Sequence, residues 1–287
     1  MQLMDYHSHH WRCGHARGDI EDYIQAAVNA GLAEIGIADH FPYGPTSPNP
    51  DFEARPRKER GMTVSEFPEY IEEIKELRDK YRDLIRVRVS TEMAFAAPGR
   101  LLDRQMDVLE PFMDDLDYLL CGLHWIRIDD EVVGLHVDNA PKALQAHGED
   151  RIHSVYTEKL TSMVETGCFD IVTHLDNHKL LWLPNEPVYS EANWIGMLAL
   201  LDAIKANGMA VEINTHATRK GCLSQFPSDE IVKQMIQKGI PLVLSSDAHR
   251  PEDIGYGFDD FIRKAKPWGL THLCSYEKRK QRPVPLD

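Results

Sequence analysis

Five short segments of this 287-residue chain each place metal-ligating residue types directly after an apolar run. The segments are Asp5–His9, Ile37–His40, Gly122–Trp125, Val172–Asp176 and Ser246–His249. An α/β barrel assembles one site from the residues that follow its strands, because all of its parallel strands end at the same mouth. The repeated pattern therefore predicts a polynuclear metal hydrolase with its site at the C-terminal mouth of such a barrel.

The predicted elements alternate between strand and helix, and seven strand–helix units can be traced. Apolar runs predict the strands, which cover residues 2–6, 34–38, 86–93, 116–125, 170–173, 209–214 and 240–245. Amphipathic segments and N-capping residues predict the helices, which cover 19–30, 63–83, 99–110 and 141–166 and also follow Ser190 and Ser228. Because no repeat or linker interrupts this order, we expect residues 1–287 to form a single domain.

Two further segments fall outside this alternation. Residues 41–62 are polar and rich in proline, and a loop of that length is typical of a lid or a rim rather than of a simple connection. Residues 277–287 are basic and then rich in proline. We expect this second segment to be a solvated terminus that at most packs across the barrel.

Charge and cysteine content argue against several classes of partner. Acidic residues outnumber basic residues by 46 to 32, a net charge of −14, which disfavours a broad surface for nucleic acid or an anionic membrane. The five cysteines form no C-x-x-C pair, and no apolar run approaches the length of a membrane span. We therefore expect a reduced, cytoplasmic protein, in which any anionic substrate would have to be attracted locally by metal ions and a few arginines.

The first segment contains a histidine pair with one residue between its members. His7 and His9 share one face of an extended chain, so both can bind one metal ion while His10 points away. Asp5 lies two residues earlier on the same face, and we expect it to hold an imidazole through the second ring nitrogen. Asp39 and Asp176 are predicted to support neighbouring ligands in the same way.

The remaining candidate ligands also lie at predicted strand ends. Glu92 could bridge two cations, because a carboxylate has two oxygens where an imidazole has one usable lone pair. Any single candidate has about even odds of being a structural histidine or a helix cap, but together they form more polar groups than a barrel core can otherwise use. Near the first segment, His15 is favoured over Cys13 as a ligand, because Gly14 allows a turn that aims it inward.

Several motifs resemble the histidinol-phosphate phosphatases of the PHP (polymerase and histidinol phosphatase) superfamily. They are the segments Asp5–His9, Cys13–Ala16, Ala38–His40, Glu212–Thr215 and Ser246–Gly255, and the resemblance extends nearly to Leu286. It implies a distorted seven-stranded (β/α)7 TIM-like barrel that carries up to three divalent metal ions. Zn, Mn and Fe all suit sites built from imidazole and carboxylate ligands.

The resemblance also implies a ligand set, carried over position by position. The first ion would be held by His7, His9, Glu92 and Asp247, the second by Glu92, His124 and His174, and the third by His15, His40 and His249. Glu92, Asp247 and His249 are the residues expected to be catalytic.

The chemistry predicted for this set is hydrolysis of a phosphate monoester, with L-histidinol phosphate as the implied substrate. Clustered divalent ions lower the pKa of a bound water and stabilise charge on phosphoryl oxygens. Arg219, Lys220 and Arg250 follow strand ends and are candidates for phosphate contact, with solvated salt bridges as the alternative for each. His216 stands where the family usually has a small residue, and a substrate contact and a neutral role are both open for it and for His178.

Three other functions fit parts of the pattern. A PHP-type phosphoesterase could act on a nucleotide or another small phosphate. A catalytically silent metal-binding barrel would be expected to have lost ligands, and none is missing. An amidohydrolase-like barrel would need eight units or a lysine at a strand end.

Overall fold

The computed structural model describes residues 2–42, 61–95 and 97–286. Twelve strands are present in this part of the chain: β1 Met4–Asp5, β2 Glu34–Ile37, β3 Arg86–Val89, β4 Glu92–Ala94, β5 Leu120–Gly122, β6 Trp125–Ile128, β7 Glu131–Gly134, β8 Ile171–Val172, β9 Ala210–Asn214, β10 Leu242–Ser245, β11 His272–Glu277 and β12 Lys280–Pro285. The parallel strands form two sheets, in the orders β1-β2-β3 and β10-β9-β8-β5-β4. The expected α/β architecture with parallel sheets is confirmed.

Backbone hydrogen bonds connect the two sheets on both sides. Tyr6 donates to the carbonyl of Leu244 at 3.0 Å, so β1 runs beside β10. On the other side, Glu92 donates to the carbonyl of Asp39 at 3.0 Å, and Phe41 donates to that of Glu92 at 2.8 Å. The predicted third strand is therefore two segments, β3 and β4, because this pass of the chain leaves one sheet and joins the other.

Helices follow most of these strands and cover the sheets. The described α-helices are α1 Ile20–Asn29, α2 Phe67–Tyr81, α3 Arg100–Leu109, α4 Ala140–His147, α5 Glu149–Glu165, α6 Glu191–Ala206, α7 His216–Arg219, α8 Asp229–Lys238 and α9 Phe258–Ala265. The Ser190 side chain caps α6 by accepting a hydrogen bond from the Asn193 amide, as predicted. The predicted helix 141–166 is divided at Gly148, whose φ of 74° interrupts the helical backbone.

The strands of the two parallel sheets are buried on both faces except at Arg86, which explains why they read as apolar runs rather than as alternating patterns. Helix α1 buries Ile20, Tyr23, Ile24 and Ala27 against them. Within the described ranges, no helix has both the length and the apolar character needed to span a bilayer. Residues 43–60, most of the predicted rim loop, lie outside the described residues.

The C-terminal segment, predicted to be a solvated terminus, is mostly exposed over residues 277–286 and includes a strand that the sequence did not predict. Strands β11 and β12 pair antiparallel as a hairpin. The Ser275 hydroxyl donates to Glu34, and the backbone amide of Tyr276 donates to the Tyr6 hydroxyl at 2.8 Å. Arg279 forms an ion pair with Asp170 at 2.8 Å. Because Glu34 begins β2 and Asp170 precedes β8, the hairpin covers the N-terminal ends of the strands.

Gly36 in β2 leaves room for a buried tyrosine. An added Cβ would lie 1.7 Å from the hydroxyl oxygen of Tyr118, which itself donates to the carbonyl of Tyr6. We expect Gly36→Ala to lower the free energy of unfolding by about 1–3 kcal/mol through overpacking. Urea denaturation measures this change.

The matched control is Gly196→Ala in α6, where the nearest atom to an added Cβ is 3.8 Å away. That substitution should be neutral or should stabilise the helix by roughly 0.5–1 kcal/mol. Equal stability of the Gly36→Ala variant and the wild-type protein would contradict the close packing assigned to Tyr118.

Candidate active site and metal centre

A cavity of about 1040 Å³ opens at the C-terminal ends of the parallel strands. Eight of the nine predicted metal ligands line it, namely His9, His15, His40, Glu92, His124, His174, Asp247 and His249. The ninth, His7, is fully buried and lies behind them. Strand ends that are distant in sequence thus meet at one place, as expected for a site at the strand mouth.

Glu92 lies at the centre of this group and is 1% exposed. Its Oε1 atom is 3.0 Å from His174 Nε2 and 3.3 Å from His124 Nε2. Its Oε2 atom is 2.7 Å from His40 Nδ1 and 3.5 Å from His7 Nε2. Burial alone would raise the pKa of Glu92, but the surrounding imidazoles outweigh burial and hold it well below its usual range. The residue is therefore a carboxylate with ligand atoms facing both oxygens.

Asp247 forms the second carboxylate of the site. Its Oδ1 atom is 3.1 Å from His9 Nε2 and 4.0 Å from His7 Nε2. Its backbone has a φ of 48°, in the left-handed region that is uncommon for a residue other than glycine. His174 has a φ of 27°. Backbone conformations of this kind concentrate at functional sites, where the surrounding structure holds them in place.

Four of the imidazoles are oriented by a protein oxygen at their Nδ1 atom. These contacts join His7 to Glu212 at 2.8 Å, His9 to Asp39 at 3.1 Å, His15 to the Cys13 carbonyl at 3.0 Å, and His249 to the Asp247 carbonyl at 3.0 Å. A neutral imidazole that donates from Nδ1 keeps its lone pair on Nε2. The four rings therefore present Nε2 as a ligand atom, which is how outer partners prepare histidines for metals.

The ligand atoms are spaced as a metal ion requires. Glu92 Oε1, His124 Nε2 and His174 Nε2 form a triangle with sides of 3.0, 3.2 and 3.3 Å. Tetrahedral zinc with bonds of about 2.0–2.1 Å places its ligands roughly 3.3 Å apart. The buried His7 Nε2 atom also lacks a hydrogen-bond partner, and Glu92 Oε2 and Asp247 Oδ1 face it at 3.5 and 4.0 Å. Lone pairs that converge in this way fit a divalent cation.

The observed clusters agree in part with the implied ligand sets. The group Glu92, His124 and His174 is the one implied for the second ion, and His7, His9 and Asp247 contain most of the first. A third group contains His9, His40 and His249. The ring centroid of His15 lies 4.9 Å from that of His249 and 5.3 Å from that of His40, so His15 borders this third group.

Cys13 lies close to the site but is a poor thiolate. Its Sγ atom is within 4.8 Å of ligand atoms of His9 and Asp39. Burial raises the pKa of the Cys13 thiol, and nearby Asp39 raises it further. The backbone carbonyl of Cys13, rather than its sulfur, contributes by orienting His15.

The outer partners differ from the prediction at Asp5. Its Oδ1 accepts a hydrogen bond from the Ser246 amide at 2.9 Å, and its Oδ2 accepts one from the Gly255 amide at 3.0 Å. The carboxylate therefore fixes backbone rather than the predicted imidazole. Glu212 contacts His7 Nδ1 instead. This role was not predicted, because Glu212 lies inside a buried apolar strand rather than at its end, and a charged residue in that position was the only signal in the sequence.

Asp39 and Asp176 differ from each other in the same respect. Asp39 contacts His9 and also lies 2.6 Å from His10 Nδ1, so it supports the site as predicted. Asp176 Oδ2 instead accepts from the Ser228 amide at 2.8 Å and lies 3.5 Å from Lys179 Nζ. Asp176 thus stabilises the segment beside the site rather than an imidazole.

The candidate phosphate-binding side chains have different surroundings. Lys220 and Arg250 are exposed and line the cavity. Arg219 also lines the cavity, but its guanidinium donates to the backbone carbonyls of Ser246 and Asp253. Arg17 is an exposed cavity residue that the sequence reasoning missed, and its backbone amide bonds the carbonyl of His249.

His178 and His216, for which a substrate contact and a neutral role were both open, lie in different surroundings. His178 is buried, stacks on Tyr156 with ring centroids 4.1 Å apart, and lies 2.7 Å from His153. It packs in the protein interior and is not a cavity residue. His216 does line the cavity, and burial together with Arg219 lowers its pKa to about 4.

We expect metal analysis to find more than one divalent ion per chain in protein prepared without chelator, because histidine nitrogens face both carboxylate oxygens of Glu92. Glu92→Gln should remove at least one ion and lower turnover by at least about 100-fold, beyond the range typical of outer partners. Inductively coupled plasma mass spectrometry and initial rates measure both effects.

Two variants calibrate this result. Asp39→Asn leaves every proposed ligand in place and should weaken metal binding only about 10- to 100-fold. Glu69→Gln, at an exposed position of α2, should change neither property. Full metal content and turnover in Glu92→Gln would remove Glu92 from the metal centre.

Comparison with known proteins identifies the family. The PHP domain family model matches residues 5–216. The chain is 29% identical to a protein described as a probable histidinol-phosphatase from Deinococcus radiodurans, and the alignment covers 98% of this chain and 99% of that protein. It is 27% identical to a histidinol-phosphatase from Bacillus subtilis, and that alignment covers 92% of this chain and 100% of the relative.

A solved structure has a similar fold. It is the histidinol phosphate phosphatase of Lactococcus lactis in complex with Zn, L-histidinol and phosphate. It matches with a TM-score of 0.74 at 18% identity, over 98% of this chain and 99% of its own. The chain belongs to the PHP domain family.

Proposed function

We propose that the chain is a metal-dependent phosphatase that hydrolyses L-histidinol phosphate to L-histidinol and phosphate. The observation that carries the chemistry is the buried Glu92 carboxylate, which faces histidine nitrogens at both of its oxygens. Support for the substrate comes from relatives named histidinol-phosphatase and from the Lactococcus structure with L-histidinol and phosphate bound.

We propose that the two parallel sheets close into a distorted (β/α)7 barrel within one domain over residues 1–287. Hydrogen bonds between Tyr6 and Leu244 and between Asp39 and Glu92 support closure on both sides. If β3 and β4 are counted as one pass of the chain, the parallel strands make seven passes. A cytoplasmic location is part of the same proposal, and the five free cysteines fit a reducing compartment.

We propose three divalent ions, of Zn, Mn or Fe, held by the nine predicted ligands. When bound, such ions activate water and neutralise charge on phosphoryl oxygens. The chain's own contribution is orientation: Glu212 and Asp39 hold the rings of His7 and His9 with Nε2 directed at the centre. Glu92, Asp247 and His249 are proposed as the catalytic residues, and all three line the cavity.

The cavity walls suit a small phosphate ester. Exposed cationic side chains of Arg17, Lys220 and Arg250 surround the opening, and they can attract an anion locally although the net charge of the whole chain is −14. Phe226 and Trp125 supply apolar surface on the wall. We propose that the phosphate lies toward the metal ligands and the organic part toward this apolar wall.

Phosphate release from purified, metal-loaded protein tests the proposed substrate. L-histidinol phosphate should exceed nucleoside monophosphates and p-nitrophenyl phosphate in kcat/KM, because only the natural ester uses the cavity walls as well as the phosphate site. Comparable kcat/KM across the panel would favour a broader PHP phosphoesterase. Preference for a nucleotide would replace the proposed substrate.

Arg250 directly follows the proposed ligand His249, so we expect its guanidinium to bind a pair of phosphate oxygens. Arg250→Ala should weaken binding of substrate and inorganic phosphate by about 1.5–3 kcal/mol, the range for a lost charged hydrogen bond. Metal content should stay unchanged. Titration calorimetry with inorganic phosphate measures the loss.

Arg104→Ala is the control for Arg250→Ala, because Arg104 is an exposed arginine of α3. It should bind phosphate as the wild-type protein does. Loss of metal in Arg250→Ala would make Arg250 structural. Unchanged phosphate binding would shift the role to Lys220 or Arg17.

A further inference from the structure

Arg219 is fixed by the backbone that carries Asp247. Its Nη2 atom donates to the Ser246 carbonyl at 2.7 Å and lies 3.2 Å from the Asp247 carbonyl. Its Nη1 atom donates to the Asp253 carbonyl at 3.3 Å and lies 3.4 Å from the Asp253 carboxylate. Both terminal nitrogens of Arg219 are thus engaged by this part of the chain.

Another contact of Arg219 determines the tautomer of His216. Arg219 Nη2 lies 2.8 Å from His216 Nδ1. A guanidinium has donors and no acceptor, so His216 Nδ1 must accept this hydrogen bond. An imidazole that accepts at Nδ1 is neutral and carries its proton on Nε2. The geometry thus selects one of the two neutral tautomers of His216.

The backbone of His216 is also fixed relative to the metal ligands. Its amide donates to Asn214 Oδ1 at 2.9 Å, and Asn214 Nδ2 donates to Asp247 Oδ2 at 3.1 Å. The His216 ring lines the cavity with its centroid 5.6 Å from that of His249. A hydrogen-bond donor of fixed tautomer therefore stands beside a proposed metal ligand.

We propose that Arg219 is a positioning residue, and that it holds His216 as a neutral Nε2–H donor to a phosphoryl oxygen of the bound ester. This inference rests on the proposed phosphatase function. No proton is transferred, since the neutral ring donates only a hydrogen bond. A preorganised donor of this kind stabilises charge on the phosphoryl oxygens without reorganisation during the reaction.

The tautomer is tested first, in the wild-type protein. The protein is loaded with Zn, labelled with ¹⁵N-histidine and measured by long-range ¹H–¹⁵N correlation spectroscopy, with His216→Gln identifying the His216 signals by their loss. We expect Nδ1 to resonate as an unprotonated nitrogen and Nε2 as a protonated one. A protonated Nδ1 would overturn the proposal.

The role of Arg219 is tested with Arg219→Met in the same spectra. Without the guanidinium, His216 should populate the Nδ1–H tautomer or become protonated, and its ¹⁵N shifts should move accordingly. A spectrum with the His216 shifts unchanged would remove Arg219 as the positioning residue. A purely structural role for Arg219 would not predict a change of tautomer.

Binding of inorganic phosphate to the Zn-loaded protein tests the donor itself. His216→Leu removes the donor and should weaken phosphate binding by about 10- to 100-fold, the range for one hydrogen bond to a charged group. His216→Gln places an amide N–H near the position of Nε2 and should retain most of the affinity. Wild-type affinity in His216→Leu, or loss of Zn from it, would overturn the proposal.

Phosphate binding and the tautomer do not depend on which ester is hydrolysed. If L-histidinol phosphate is not a substrate but both measurements give the expected result, the proposed substrate fails and the role of His216 stands. If L-histidinol phosphate is hydrolysed and His216→Leu binds phosphate normally, the role of His216 fails alone.

Discussion

The buried carboxylate of Glu92 is the constraint on which the rest of the structure depends. An unpaired carboxylate in the interior is costly, and four imidazoles within 3.5 Å offset that cost here. The arrangement exists because the chain passes from β3 to β4 at Ser90 and Thr91 and so brings Glu92 beside β2 on one side and β5 on the other. Each neighbouring strand end then contributes ligand atoms to the same point.

A second layer of carboxylates determines which atoms face that point. Glu212 accepts from His7 Nδ1, from Asn214 Nδ2 and from the backbone amide of His174. One fully buried side chain thereby orients ligands on two strands, and through Asn214 it is linked to Asp247. Such outer contacts fix the ring tautomer and raise the basicity of the ligand. These contacts hold the candidate ligands His7, His174 and Asp247 in fixed positions relative to one another.

The sequence was sufficient for the α/β architecture and for predicting a group of nine candidate ligands, eight of which line one cavity, because a strand end is visible as an apolar run followed by a polar residue. It was insufficient for individual hydrogen bonds. Asp5 and Glu212 are both acidic residues of buried strands, and only three-dimensional proximity decides which of them reaches His7. The β11–β12 hairpin was missed because β12 is polar and proline-rich, and because its contacts with Glu34 and Asp170 lie far away in sequence.

Asp5 and Arg219 both differ from their predicted roles, and the difference has one physical cause. Asp5 accepts the amide of Ser246, and Arg219 donates to the carbonyls of Ser246 and Asp247. The segment held between them includes Asp247 in a left-handed conformation, with a φ of 48°. A backbone of that kind is retained only when its surroundings over-determine it. The Asp5 carboxylate and the Arg219 guanidinium therefore bind the backbone of this loop. Their hydrogen bonds are needed because the loop must hold Asp247 in a backbone conformation that its own preference disfavours.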